Sequence, residues 1–227
     1  MDLLKFEKEL YNKGVRKIAG VDEVGRGSIA GPIVAAAVIL DLEYIIDTLD
    51  NEDEYRNNDI VYKKHTIYDQ INDSKLITPG KRSILDEFLR IESVCYSIDN
   101  ISNEEIDKLG IGVANKQVLY DAVLKLELKP DYVLVDHFKI PMFDVSRQTS
   151  IKRGDALSIS IAAASILAKV YRDNLMNDMH TKFPQYGFHK NKGYGTRQHF
   201  ESLFNLGPCP IHRKSFEPVK SITTSTI

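Results

Sequence analysis

The stretch Lys17-Ile18-Ala19-Gly20-Val21-Asp22-Glu23-Val24-Gly25-Arg26-Gly27, with the apolar run PIVAAAVIL at 32–40 close behind it, decides the fold of this chain. Residues 17–22 read as a strand that runs into the glycine-rich turn Gly25-Arg26-Gly27. The run at 32–40 is continuously apolar, the pattern of a strand buried on both faces. Together they predict a hairpin of two core strands. Two adjacent carboxylates close the first strand, and burying charge there is costly unless something binds it. Paired carboxylates hold hard divalent cations, and glycines let backbone N–H groups approach a ligand closely. Side chains alternate faces along a strand, so Asp22 and Glu23 share one cluster only if the strand bends there. The same Asp-Glu pair before a glycine turn also occurs on ordinary surfaces, and local composition leaves both readings open.

Working outward, residues 1–15 predict a short amphipathic helix. Residues 41–66 are polar, acidic and weakly periodic, and are expected to be an inserted loop with little structure of its own. Thr78 as N-cap and Pro79 at the first helical position start a helix that runs to about residue 90. Residues 93–98 read as a third strand, and Ser102 with Glu105 makes a capping box for a short helix ending at Gly110. A helix over 114–126 sets Val118, Ala122 and Leu126 on one face. Residues 132–135 read as a short strand ending in Asp136, and 145–151 as a weaker one. The longest helical stretch is 155–180; its centre, SISIAAASILAKV, is small and apolar enough to pack tightly on a sheet. Beyond it the chain turns irregular and basic, Thr196 caps a helix ending near Gly207, and the tail 221–227 is expected to be disordered. Strands and helices are mixed, with the hairpin first and crossovers later. That favours one α/β domain over 1–180 and a smaller helical C-terminal lobe over 181–220.

At 227 residues the chain can bury a sizeable core. No stretch approaches the roughly 20 apolar residues that cross a bilayer, and the acidic N-terminus lacks a secretory pattern, so the cytoplasm is expected. Cys95 and Cys209 form no metal-binding spacing and are expected to be free thiols. A net charge of −2 argues against a general polyanion binder, but its distribution is uneven. Residues 41–59 hold eight acidic residues and one basic, giving −7, whereas 152–220 hold eleven basic and five acidic, giving +6. A positive C-terminal third suits nucleic acid on one face, although long chains often drift in this way. The absence of GxxxxGK[ST] excludes a phosphate-loop nucleotidase.

Two further acids repeat the theme of the first pair. Asp136 ends the apolar strand Val133-Leu134-Val135, and Asp155 follows Lys152-Arg153-Gly154 at the head of the long helix. Alone, Asp136 is also an ordinary strand-ending turn residue, and Asp155 an ordinary partner of a helix dipole. Taken together, Asp22, Glu23, Asp136 and Asp155 make one candidate cluster. Such a cluster suits two-metal phosphodiester hydrolysis, with ions roughly 4 Å apart.

At this point the chain resembles the bacterial ribonuclease HII family. GVDEVGRGSIAGP is similar to its first motif, NDSK at 72–75 with Lys81-Arg82 to its second, and Val135-Asp136 and KRGDALSISIAAASILAKVYRD to its third and fourth. NKGYGT at 191–196 and HRKSF at 212–216 match its C-terminal part, all in order over about 15–219. The resemblance implies a ribonuclease H-like fold, a mixed central sheet flanked by helices with a small helical C-terminal lobe. It implies an endoribonuclease that hydrolyses the RNA strand of RNA–DNA hybrids and cuts 5′ to ribonucleotides embedded in duplex DNA, leaving a 3′-OH and a 5′-phosphate. Asp22, Glu23, Asp136 and Asp155 fall on the family's catalytic and metal-binding acids, for two Mg²⁺ or Mn²⁺ ions. Gly25, Arg26 and Gly27 fall on the turn that senses the ribose 2′-OH, the one sugar difference between RNA and DNA. Tyr194 falls on the tyrosine that packs on the following sugar, and Lys75, Ser165 and Lys169 on contacts to the phosphate backbone. The implied partner is the hybrid or mixed duplex, the implied state a monomer. The chain departs from the family at Leu76, where a second lysine is usual, at Arg153, which replaces a lysine, and in the length of the acidic segment. His137, beside Asp136, either assists proton transfer or is a hydrogen-bonded structural residue. Rival readings are the sister type ribonuclease HIII, disfavoured by the short segment before Asp22 and by Asp155 where that type has glutamate, and a non-catalytic hybrid-binding module, disfavoured by the intact acids.

Overall fold

The computed structural model describes residues 3–47, 54–57, 60–63, 67–71, 74 and 77–224. A helix α1 (Lys5–Asn12) leads into β1 (Ile18–Val24) and β2 (Ile33–Ile39), which pair antiparallel as expected, Ala19 opposite Ile39 and Val24 opposite Val34. Then come α2 (Leu42–Asp47), a two-stranded hairpin β3 (Glu54–Asn57) and β4 (Ile60–Lys63), α3 (Pro79–Glu92) and β5 (Cys95–Ile101). The helices α4 (Asn103–Leu109) and α5 (Ile111–Leu124) precede β6 (Tyr132–Asp136) and β7 (Gln148–Ile151). The long α6 (Ile159–Lys182) is followed by α7 (Phe188–Asn191), α8 (Arg197–Leu206) and α9 (Val219–Thr224).

The main sheet has the order β5-β2-β1-β6-β7. The β5-β2-β1 half is antiparallel, and β6 and β7 join parallel to β1. Strand alternation gives each face its own core. Ile18, Val34, Ala36 and Val38 pack under α6 and α3, whereas Ala19, Val21, Ala35 and Ala37 pack against Val118, Ala122 and Leu126 around α5. The small residues of α6 have a specific use. A Cβ on Gly20 would overlap the backbone carbonyl of Ser160, so helix and strand approach more closely than any side chain allows. Glu7 fastens the head of α6 from outside: its Oε1 accepts from the Ser158 hydroxyl at 2.5 Å and the Ser160 N–H at 3.0 Å.

The capping box at Ser102 and Glu105 forms as the sequence predicts. Four expectations need correction. The segment 41–66 is not a plain loop, because it carries α2 and the β3–β4 hairpin; Leu42 and Ile45, one helical turn apart, reach the core and were hidden by acidic neighbours. Asp155 lies in a separate 3-10 turn, Gly154–Ala156, because Ser158 caps α6 through the Ile161 N–H and starts it only at Ile159. The weak strand at 145–151 is shorter, since Asp144 caps a 3-10 turn over Val145–Arg147. The tail is helical through Thr224, anchored by buried Val219; residues 225–227 lie outside the described residues.

Candidate active site

β1 and β6 run parallel with Val21 opposite Val135, so one step further along each strand stand Asp22 and Asp136. Both fall on the α6 side of the sheet, in the same alternation as Gly20 and Leu134. Past β7, Arg153 adopts a left-handed conformation (φ 59°) and turns the chain back toward β6. The Gly154 N–H then donates to Asp136 Oδ1 at 2.6 Å. A Cβ on Gly154 would meet that oxygen at 3.3 Å and the Ile161 side chain closer still. The turn thereby delivers buried Asp155 to the same corner.

Asp22 reports how crowded this corner is. Burial is the main reason that its carboxyl is held well above the usual range, and the charges of Glu23, Asp136 and Asp155 push the same way. A hydrogen bond from Ser165 opposes them, and Ser74 stands 2.9 Å behind Ser165, hydroxyl to hydroxyl. The other three acids named from the sequence therefore all act on Asp22. This donor set fits a hard divalent cation, which would relieve the repulsion around Asp22. Among the described residues no three Asp, Glu, His or Cys side chains already close on one point. Mg²⁺ asks for less, since it keeps several waters and takes one or two carboxylates.

The glycine turn leaves β1 directly after the acids. Gly25 has φ 89°, and a Cβ there would overlap the guanidinium of Arg172, so glycine is required twice over. Two fully buried arginines hold the turn from beneath. Arg172 of α6 donates to Pro32 O (2.9 Å), Lys192 O (2.8 Å) and Ser28 Oγ (2.9 Å). Arg213 donates to Gly25 O (2.7 Å), Arg26 O (3.0 Å) and Gly31 O (2.9 Å). Among the described residues neither forms an ion pair with a carboxylate. Burial pushes Arg213 down to about 9, with the nearby Arg172 charge adding to it, and burial also lowers Arg172. The two cations place positive potential under backbone that faces solvent at Arg26 and Gly27. Arg26 itself lies over the Phe138 ring, 4.8 Å from its centroid.

A loop from the C-terminal lobe closes the far side. The Gly193 carbonyl accepts from Ile29 N (2.9 Å) and Ala30 N (3.2 Å), and the Tyr194 ring lies 5.5 Å from the Arg172 guanidinium carbon. Tyr194 then lines a cavity of about 360 Å³ with Asp22, Glu23, Val24, Ser74, Ser165 and Lys169. Lys169, paired with Asp173 at 2.8 Å, also borders a neighbouring groove of about 610 Å³ with Arg82, His189, Lys190 and Lys192 on its walls.

The structure thus brings Asp22, Glu23, Ser165, Lys169 and Tyr194 to one cavity. It sets Asp136 and Asp155 beside Asp22 and outside the cavity lining, and Gly25, Arg26 and Gly27 on the turn that follows. Lys75 lies outside the described residues. His137 is exposed, with φ 53° and its ring edge-on to Phe138 at 4.7 Å. Sequence reasoning did not single out Ser74, Arg172 and Arg213 as site supports. Arg172 stands in the polar half of α6 beside Asp173, Asn174 and Asn177, and nothing in that pattern marked it.

Comparison with known proteins gives the family and the fold. The family described as Ribonuclease HII matches residues 64–219. The Ribonuclease HII of Acholeplasma laidlawii is 45% identical over 98% of this chain and 98% of its own length. That of Clostridioides difficile is 44% identical over 93% of this chain and 74% of its own. Among solved structures, ribonuclease H2 from Pyrococcus horikoshii superposes with a TM-score of 0.70 at 26% identity, covering 92% of this chain and 98% of that one. Bst-RNase HIII in complex with Mn²⁺ shares the fold with a TM-score of 0.65 at 16% identity, covering 93% and 70%. Among the described residues no helix is long and apolar enough to cross a membrane. This chain belongs to the ribonuclease HII family, and it is an endoribonuclease of the ribonuclease H class that acts on RNA–DNA hybrids.

Proposed function

We propose that this enzyme cuts on the 5′ side of a ribonucleotide, in hybrids and within duplex DNA, leaving a 3′-OH and a 5′-phosphate. The observation that carries the reading is the corner where Glu23, Asp136 and Asp155 crowd the buried Asp22 beside a turn braced by two buried cations. Two divalent ions, Mg²⁺ or Mn²⁺, held by those acids, supply an activated water and charge for the leaving oxygen. Asp136 is kept in place by the Gly154 N–H, and Asp22 by Ser165. The turn Gly25-Arg26-Gly27, with the Gly25 and Arg26 carbonyls held by Arg213 and no side chain at Gly27, offers exposed backbone to read a 2′-OH. Tyr194 packs on the next sugar. Ser165 and Lys169, with the basic groove beyond, follow the phosphates, as does Lys75. On this reading the lobe 181–220 is the substrate-positioning part of a monomeric cytoplasmic enzyme.

A DNA duplex carrying one ribonucleotide tests it. The expected result is a single divalent-dependent cut 5′ of the ribonucleotide and none in all-DNA duplex. In Tyr194→Ala, cutting at the RNA-to-DNA junction should slow more than cutting within continuous RNA. Cleavage of all-DNA duplex, or a cut on the 3′ side, would overturn the assignment of the turn. Equal slowing on both substrates would leave Tyr194 a packing residue.

A further inference from the structure

The mechanism leaves two buried histidines unused. His199 on α8 and His212 in the strap before α9 are both fully buried, and their Nε2 atoms face each other at 3.1 Å. At one end of the pair, the Cys209 N–H donates to His212 Nδ1 at 3.0 Å. At the other, His199 Nδ1 stands 2.9 Å from the carbonyl oxygen of Tyr194.

His212 Nδ1 also lies 3.1 Å from Cys209 Sγ and 3.3 Å from the Cys209 carbonyl oxygen, and the proton assignment that satisfies the whole chain starts from the His199 end. A carbonyl only accepts, so His199 must carry its proton on Nδ1. Its Nε2 is then an acceptor, and His212 must donate to it from Nε2. That leaves His212 Nδ1 bare, as the Cys209 N–H requires. The chain closes from both ends with both rings neutral. Burial lowers the pKa of both rings, which keeps them so at neutral pH. Tyr186 and Phe188 enclose the two rings edge-on or tilted, which leaves little room for another rotamer.

The next residue along the strap is Arg213, whose guanidinium holds the carbonyls of Gly25 and Arg26. The strap is itself fixed to that segment, through an isolated bridge from His212 to Ala30 and the Arg213 N–H to Ile29 O at 2.9 Å. Two adjacent residues therefore reach the two halves of the proposed sugar reader, one directly and one through a relay.

We propose that His212 and His199 are positioning residues for specificity, a hydrogen-bonded relay that sets Tyr194 at a fixed distance from the Gly25-Arg26-Gly27 turn and so tunes recognition of the RNA-to-DNA junction. The inference rests on the reading of Tyr194 as a sugar contact. Only a fixed spacing between turn and tyrosine lets two successive sugars be judged together, and a misplacement of about 1 Å is enough to lose it.

The test compares junction cleavage with cleavage inside continuous RNA, as kcat/KM, for wild type, Tyr194→Ala, His199→Phe, His199→Asn and His212→Gln. His199→Phe keeps the ring and removes the donor to Tyr194. His199→Asn restores an N–H near the Nδ1 position, and His212→Gln restores one near Nε2. The junction preference should fall about fivefold in His199→Phe, the factor worth one neutral hydrogen bond. It should return at least halfway in His199→Asn. Should His199→Phe fail to fold, His212→Gln against His212→Leu repeats the comparison one link along. If Tyr194→Ala loses the preference while both histidine series keep it, the relay is refuted and the tyrosine reading stands. If Tyr194→Ala keeps the preference, both fall. Loss in His199→Phe with no recovery in His199→Asn would reduce the pair to core packing and overturn the proposal.

Discussion

Acidification should remove stability that the protein draws from keeping His212 neutral. Burial, and next the adjacent His199, push His212 from 6.5 down to about 4. The unfolded chain therefore takes up a proton that the folded one refuses. With the folded value below the unfolded one, the contribution is complete above about pH 6.5 and is lost as pH falls toward 4. The linkage amounts to about 2 kcal/mol at pH 5 and about 3 kcal/mol at pH 4. His212→Gln keeps an N–H toward His199 and cannot titrate. At pH 8 it should be less stable than wild type by about 1–2 kcal/mol, because the buried Cys209 N–H loses its acceptor. At pH 5 the wild type has lost its linkage and the variant has not, so the difference should vanish or reverse. His199 titrates in both proteins, and its share cancels to first order. Urea unfolding of the metal-free proteins at both pH values, with m unchanged by the mutation, measures the difference. A gap that stays constant between pH 8 and pH 5 would refute the neutral relay.

The other expectations concern the acids, the helix contact and the acidic segment. Asp22→Asn should abolish cleavage; because Asp22's folded-state pKa is raised, the wild type loses stability as pH climbs through it, so the metal-free variant should melt higher at pH 7, and an unchanged or lower melting point would contradict the crowding. Gly20→Ala should cost about 1–3 kcal/mol or more in urea unfolding, since its Cβ meets the backbone of Ser160, which cannot swing aside; a near-neutral effect would mean that α6 sits further from β1 than described. Shortening the acidic segment between Asp41 and Asp59 with a Gly/Ser bridge that keeps α2 should change hybrid affinity less than twofold at physiological salt. β2 carries the chain roughly 17 Å from the turn at about 3.3 Å per residue, beyond the Debye length of about 8 Å. A large gain in affinity that disappears as salt is raised would place this segment against the nucleic acid.

Much of the fold was legible because the signals were periodic and local. Residues 32–40 could hardly be anything but a buried strand, and Ser102 with Glu105 fixed the start of α4 to the residue. The acids were legible for a different reason: each ends an apolar run, where a charge without a ligand is costly. What escaped was held by contacts distant in sequence. Leu42 and Ile45 were masked by acidic neighbours, and their burial depends on α3 and α6 packing nearby. Arg172, Arg213, His199 and His212 resemble ordinary basic residues of a basic region. Only the folded chain shows that their partners are carbonyls and each other. Motif resemblance named Tyr194, but no pattern in the sequence indicated that its own carbonyl is the held point.

The brace under the glycine turn joins positions 188 residues apart, Gly25 and Arg213. In synthesis the acids of β1 emerge early and the groups that tension the turn emerge near the close. A chain interrupted between Lys182 and Arg213 already contains every strand of the main sheet and the whole of α6. It has the four carboxylates and Arg172, but not the guanidinium that bonds the carbonyls of Gly25 and Arg26. The brace on the turn therefore forms only after the sheet and α6 have been made.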